Sequence, residues 1–398
     1  MPDISKRGIA MPSSPIRKLA PLSGNAKSQG VKVYHLNIGQ PDLPSPKKAL
    51  DAVRSITRTT LEYSPSEGYQ SLREALSRYY SRLGIDIPQQ EIIVTTGGSE
   101  AILFAFLACL DPGDEIIMVE PCYANYISMA VAAGIKVKTV VSRIEDSFAL
   151  PSPDEFEKAI TPATTAILLC NPSNPGGTLY TKDELYQLRD IVKKHQLFLF
   201  SDEVYREFVY SNEPFLSALS LGIEQNVVLI DSVSKRYSEC GIRIGALISR
   251  NPQVRAAVMK FAQARLSPPL LGQIAAEASI DGTEAYSREC FNEYKARRDF
   301  FIEHLNKIPG VFSPKPEGAF YTIASLPVDD AEDFCRWCLT SFRDNMETIM
   351  MAPAAGFYCT PGLGRNQVRL AYVLNVKDLG RCIELLAKAL EEYNSINR

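Results

Sequence analysis

A lysine placed just beyond a buried strand can capture a carbonyl compound as a Schiff base through its side-chain amine. The stretch Asp231-Ser232-Val233-Ser234-Lys235-Arg236-Tyr237 follows the apolar run Val227–Ile230, which reads as such a strand. Ligands of open α/β sheets bind in the crevice beyond the carboxyl ends of the strands, and Lys235 falls there. Arg243, eight residues further on, offers a cation for an anionic group. The competing reading of Lys235 is a solvated loop residue. A serine nucleophile also fits locally, since Ser232–Lys235 spells S-x-x-K, but no S-D-N or K-T-G partner occurs in the chain.

Other polar clusters follow apolar runs in the same way. Asn171-Pro172-Ser173-Asn174-Pro175-Gly176-Gly177 comes after Ile167–Cys170, and Ser201-Asp202-Glu203-Val204-Tyr205 follows Leu197–Phe200. Thr95-Thr96-Gly97-Gly98-Ser99-Glu100 links a strand to the helical run Ala101–Leu110, so its free N–H groups and the helix dipole can hold an anion. Each cluster alone is equally a turn or a cap. Together, an amide, a carboxylate, a phenol, a lysine and an anion site at neighbouring strand ends point to one crevice.

The elements that must position these groups alternate. Strands are predicted at Ile92–Val94, Glu115–Val119, Lys136–Val141, Thr165–Cys170, Leu197–Ser201, Val227–Ile230 and Ile244–Ser249, with helices at Ser71–Leu76, Lys182–Lys194 and Val254–Ala264. That pattern predicts an α/β fold whose large domain holds a mainly parallel seven-stranded sheet covered by helices. After about residue 285 the pattern changes to a long helix at Tyr286–Asn306, strands at Ala319–Ile323 and Val368–Tyr372, and helices at Ala331–Phe342 and Lys377–Tyr393. These predict a smaller α+β domain. The expected division is 1–47 as an N-terminal arm and part of the small domain, 48–285 as the large domain and 286–398 as the small domain. The arm's four prolines argue against a helix there, leaving an extended segment on another subunit or disorder.

Composition removes several function classes. A net charge of −3 carries no basic footprint for nucleic acid. No apolar run is long enough to span a bilayer, and no apolar h-region precedes the fold. The nine cysteines are scattered, as expected of reduced thiols in a cytoplasmic protein. Cys335-Arg336-Trp337-Cys338 sits in an amphipathic helical pattern, which favours helix core over a redox pair. The three histidines are far apart, so no metal site is expected.

In their order and spacing, N-P-S-N-P-G-G, S-D-E-V-Y, S-x-S-K with Arg243, and Val368-Arg369-Leu370-Ala371-Tyr372 resemble the class I/II pyridoxal-phosphate aminotransferases. The similarity runs from about residue 30 to the end, and bacterial aspartate aminotransferase-like enzymes are the branch it looks most like. The resemblance implies a homodimer with active sites shared at its interface and pyridoxal 5′-phosphate as cofactor. It makes Lys235 the lysine bound to the cofactor and Asp202 the partner of the pyridine nitrogen. Tyr205 and Asn174 bond the phenolic oxygen, and Tyr123 stacks on the ring. Gly98, Ser99, Ser232 and Arg243 hold the phosphate, while Tyr63 reaches the phosphate in the partner subunit. Ser234 belongs to the motif without a defined role. Arg369, with Gly39 and Asn174, is implied as the grip on the substrate's α-carboxylate.

The implied reaction is ping-pong transfer of an amino group from an L-amino acid to a 2-oxo acid, with aspartate or glutamate as first-choice donors. A dicarboxylate needs a second cation, and Arg17, Arg265 and Arg365 are the candidates. The position that is lysine in some aspartate-using relatives is Ser99 here, which departs from the pattern. Aromatic or other neutral donors are the alternative, followed by β-elimination at a C–S bond. A regulator that only senses the cofactor is the non-enzyme alternative. Such relatives carry a DNA-binding module ahead of the fold, for which residues 1–30 are too few.

Overall fold

A computed structural model describes residues 2–396 apart from 212 and 283. Its strands, in chain order, are β1 (Lys32–His35), β2 (Ile92–Thr95), β3 (Glu115–Glu120), β4 (Lys136–Val141), β5 (Thr164–Cys170) and β6 (Phe198–Asp202). The others are β7 (Val227–Ser232), β8 (Gly245–Ile248), β9 (Tyr321–Ser325), β10 (Glu347–Met350), β11 (Ala352–Pro353) and β12 (Gln367–Ala371). All seven strands predicted for the large sheet form one sheet of order β2-β8-β7-β6-β5-β3-β4. It is parallel except for β8, which runs against both β2 and β7.

Alternate residues of these strands enter two different cores, as the two-residue period of a pleated strand requires. Ile93, Met118, Leu168, Phe200, Ile230 and Leu247 pack on one face. Val94, Ile117, Leu169, Leu199, Leu229 and Ile248 pack on the other. Both faces are buried, so the strands read as continuous apolar runs. Helices cover both sides, including Gly97–Cys109 and Ala124–Ala133 on the first and Gln70–Arg82 and Lys182–His195 on the second.

A second sheet, β11-β12-β9, is antiparallel, and β1 pairs in parallel with β10. The pairing of β1 with β10 ties the segment after the arm to the last third of the chain. The long helices are Glu284–Leu305 and Val376–Ile396, and Cys335 and Cys338 are both buried in the helix Ala331–Thr340. Among the described residues no helix is long and apolar enough to cross a membrane.

The arm differs from expectation. It contains helices at Lys6–Ala10 and Ala20–Ser28. Pro21 lies in the first turn of the second, where a missing N–H costs no helical bond, so it does not break the helix. Helix Leu270–Ile280 and strands β1, β10 and β11 carry no strong periodic signal and were not predicted.

Candidate active site

The crevice lies beyond the ends of β5, β6 and β7. It opens into a cavity of about 730 Å³ whose wall includes Gly39, Gly98, Ser99, Tyr123, Asn174, Asp202, Tyr205, Ser232, Ser234, Lys235, Arg243 and Arg369. Every residue expected to hold the cofactor or the α-carboxylate, except Tyr63, is therefore in one place. Tyr63 is 75% exposed and absent from the wall.

Strand β8 explains part of this convergence. Because it runs antiparallel, it begins at the crevice, and its first residue Gly245 pairs with both Thr95 and Ser232. A Cβ on Gly245 would lie 2.6 Å from the Gly97 carbonyl carbon and 2.7 Å from the Gly98 nitrogen, so only glycine lets the 96–99 turn settle here. Arg243, just before β8, reaches over this turn, and its Nη2 would be 2.5 Å from a Cβ on Gly97. Its guanidinium donates to the carbonyls of Cys240 and Thr96 at 3.2 and 3.4 Å. A cation and the N-terminus of the 13-residue helix Gly97–Cys109 thus meet, and Thr96 gives that helix no side-chain cap. Ser232 Oγ accepts from the Ser234 N–H at 3.2 Å and donates to either the Ile244 carbonyl or Ser234 Oγ, so it caps the one-turn helix that carries Lys235.

Lys235 Nζ donates to the Gly39 carbonyl at 2.9 Å and lies 3.7 Å from Cys240 Sγ. Burial opposes the ammonium, but Tyr321, Cys240 and Tyr123 outweigh it and the group sits above its ordinary pKa. Asp202, last in β6, is 6% exposed. Burial pushes its carboxyl up to about 6 against the pull of two donors, the Tyr126 phenol at 2.5 Å and the Val204 N–H at 3.3 Å. No arginine or lysine among the described residues forms an ion pair with it.

Arg369 enters from β12. It is 1% exposed, donates to Asn174 Oδ1 at 3.1 Å and to the Asn37 carbonyl at 2.5 Å, and leaves Nε without an acceptor. Burial lowers its pKa, yet a guanidinium stays charged in a protein. Its charge faces the rings of Tyr321 and Phe357 at 4.6 and 5.0 Å instead of a carboxylate. A buried cation without an anion is costly unless the site is built to receive one.

The candidate second cations separate clearly. Arg17 is exposed on the cavity wall. Arg265 is held by Glu100 at 3.1 Å and bonds the Ser66 and Val94 carbonyls, and Arg365 pairs with Asp330 at 3.4 Å. Neither lines the cavity, because each is turned toward a partner elsewhere.

Three residues escaped the sequence reading. Tyr126, which bonds Asp202, lies three positions after Tyr123 in a helical start, a spacing that could have flagged it. Tyr321 and Asn37 come from remote segments and gave no local signal.

The donor set of lysine, buried carboxylate, aromatic face and cation-backed helix N-terminus fits a planar cofactor bearing a carbonyl, a basic ring nitrogen and a phosphate. Residues 31–385 match the family model for aminotransferase class I and II. The chain is 32% identical over 377 residues to an aspartate aminotransferase of Thermotoga maritima, covering 93% of this chain and 95% of that protein. It is 30% identical to an aspartate/prephenate aminotransferase of Thermus thermophilus, covering 96% and 99%. The solved aspartate aminotransferase of Thermus thermophilus with maleate superposes with a TM-score of 0.89 at 29% identity, covering 98% of this chain and all of that one. An alanine aminotransferase from Pyrococcus furiosus gives 0.90 at 29%, with the same coverage. The chain therefore belongs to the class I and II aminotransferases, pyridoxal-phosphate-dependent transaminases.

Proposed function

We propose that this transaminase moves an amino group from aspartate or glutamate to a 2-oxo acid in two successive half-reactions. The observation that carries the reading is Arg369, a buried guanidinium on the wall of the Lys235 cavity with no carboxylate partner among the described residues. An α-carboxylate bound in its fork would supply the missing charge through two parallel bonds. Asn174 Oδ1 already accepts from Arg369, which leaves the amide nitrogen free to donate toward the cavity.

The residues divide the work by their chemistry. Arg243, Ser99, Ser232 and the Gly98 backbone would hold the phosphate, Tyr123 would cover the ring, and Asp202 would keep the ring nitrogen protonated. Tyr205 and Asn174 would bond the phenolic oxygen. When bound, pyridoxal phosphate supplies a carbonyl that condenses with amines and a ring that accepts electron density from Cα. Lys235 Nζ takes the proton from Cα of the donor and returns one to Cα of the new amino acid. Arg369 fixes the substrate so that this Cα–H bond faces the amine.

Arg17 supports a dicarboxylate donor, because it is a wall residue with no acidic partner among the described residues. Ile16, Ile38 and Tyr123 on the same wall favour aromatic donors as the second reading. We assign Tyr63 to the cavity of a second copy, making a homodimer with shared sites, in keeping with its exposure. We take 48–285 as the cofactor-holding domain, 286–398 with part of 1–47 as the smaller one, and the cytoplasm as the location.

A panel of amino donors with 2-oxoglutarate, run beside Lys235→Ala, tests the reading. Fast aspartate or glutamate turnover is expected, with turnover and the cofactor's absorbance band both lost in Lys235→Ala. Negligible acidic turnover beside fast aromatic turnover rejects the first choice of donor. Pyruvate or thiol release without an acceptor assigns a C–S lyase instead.

A further inference from the structure

Tyr321, the first residue of β9, joins three parts of the site. In the β9–β12 ladder it pairs with Ala371, two positions from Arg369, so the two side chains are diagonal neighbours on one face. The Arg369 guanidinium lies 4.6 Å from the Tyr321 ring centroid. The phenol oxygen is 3.0 Å from Tyr205 Oη and 3.4 Å from the Gly39 carbonyl oxygen. A Cβ on Gly39 would sit 1.6 Å from that phenol oxygen, so the approach exists only with glycine. The same Gly39 carbonyl accepts from Lys235 Nζ at 2.9 Å.

We propose that Tyr321 is a positioning residue with two separable parts: its hydroxyl sets the donor strength of Tyr205, and its ring carries the charge of Arg369. The proposal rests on the roles given above to Lys235, Tyr205 and Arg369. Tyr321 has one proton and two acceptors in reach. Tyr205 Oη at 3.0 Å is nearer than the Gly39 carbonyl at 3.4 Å, so the Tyr321 proton goes to Tyr205. A hydroxyl that accepts a hydrogen bond becomes a stronger donor, so Tyr205 then bonds a phenolic oxygen more tightly. The ring part is simpler. Arg369 has no carboxylate partner among the described residues, and a π face within about 6 Å offsets part of the cost of its burial.

The groups that face this pair are Tyr123, Lys235 and Arg369, with Asp202 and Cys170 near Tyr205 and Tyr123, and Cys240 beside the lysine. Each keeps its own side chain in variants at Tyr321, while Tyr123, Tyr205, Lys235 and Arg369 all feel the Tyr321 hydroxyl. The test compares Tyr321→Phe with Tyr321→Leu in the holoenzyme, reading the pH midpoint of the cofactor's absorbance change and the KM for donor and acceptor. A weaker Tyr205 donor stabilises a phenolate less, so Tyr321→Phe is expected to raise the midpoint by about 0.3 pH unit. It should lower kcat about threefold and leave KM within about twofold, since the ring stays. Tyr321→Leu should raise KM about tenfold as well, because the π face is gone. An unmoved midpoint in Tyr321→Phe overturns the hydroxyl role, and equal KM values in Phe and Leu variants overturn the ring role. The Phe variant keeps the packed shape and decides the first point even where Leu does not fold. If Lys235→Ala keeps the absorbance band, the reading of the whole site fails; if it loses the band and the Phe midpoint stays put, only the role of Tyr321 fails.

Discussion

Asp202→Asn should do two opposite things to this protein. Burial raises the Asp202 carboxyl from its ordinary 3.8 to about 6, which corresponds to roughly 3 kcal/mol against the charged form. Between these values the folded, cofactor-free protein keeps a proton that the unfolded chain has released, so its stability falls as pH rises through that window. The loss is complete above about pH 6.5. Asparagine carries no such penalty, and its amide oxygen can still accept from Tyr126. The stripped Asp202→Asn protein should therefore be more stable than wild type by up to about 3 kcal/mol at pH 8, with about half of that left at pH 5 and almost none below pH 4. Activity should move the other way, with kcat down about 100-fold, because a neutral amide cannot hold the ring nitrogen's proton. Urea unfolding of stripped proteins at several pH values, together with steady-state turnover of the loaded ones, measures both. An asparagine variant that is less stable at every pH, or that keeps kcat within threefold, refutes the account of Asp202.

The remaining predictions concern the cations and the buried charges behind the site. Arg369→Lys should raise KM about 100-fold for donor and acceptor alike, since an ammonium cannot form the fork; a donor titration checks this. Arg17→Ala should raise KM for aspartate about fivefold and leave aromatic donors unchanged, as expected for an exposed pair; equal effects on both would exclude Arg17 from substrate choice. Asp231 accepts two bonds from Arg236, at 2.8 and 2.9 Å, and one from Tyr80 at 2.8 Å. Burial alone would raise its pKa, but Arg236 and Arg206 hold it below the usual carboxylate range. Its stabilisation is thus present at neutral pH and fades as pH falls below the ordinary value of 3.8. Asp231→Ala should cost about 3–5 kcal/mol at pH 7 in a denaturation curve, by leaving two buried guanidinium groups short of an anion.

Much of the large sheet was legible because its strands are buried on both faces and appear as unbroken apolar runs such as Val227–Ile230. The polar clusters after those runs marked the crevice, since a polar turn just past a buried strand has few other places to go. What stayed hidden depends on tertiary contact. Strand β1, Lys32–His35, mixes polar and apolar residues and becomes a strand only against β10. The arm's prolines looked like breakers, although Pro21 sits where the first turn tolerates one. Tyr321 gave no sign of its importance, because its partners Gly39, Tyr205 and Arg369 lie far away in the chain. Arg17, Arg265 and Arg365 were alike in sequence, and only the acidic neighbours of the last two told them apart.

The bond from Arg369 to the Asn37 carbonyl joins residues 332 positions apart in the chain. A contact of that span closes a loop of nearly the whole protein, and its entropic cost must be met before the contact gives anything back. The grip proposed for the α-carboxylate therefore cannot exist in a nascent chain until the final strand of the smaller sheet has emerged and docked. Any chain that stops short of β12 lacks Arg369 and with it the contact proposed for the α-carboxylate.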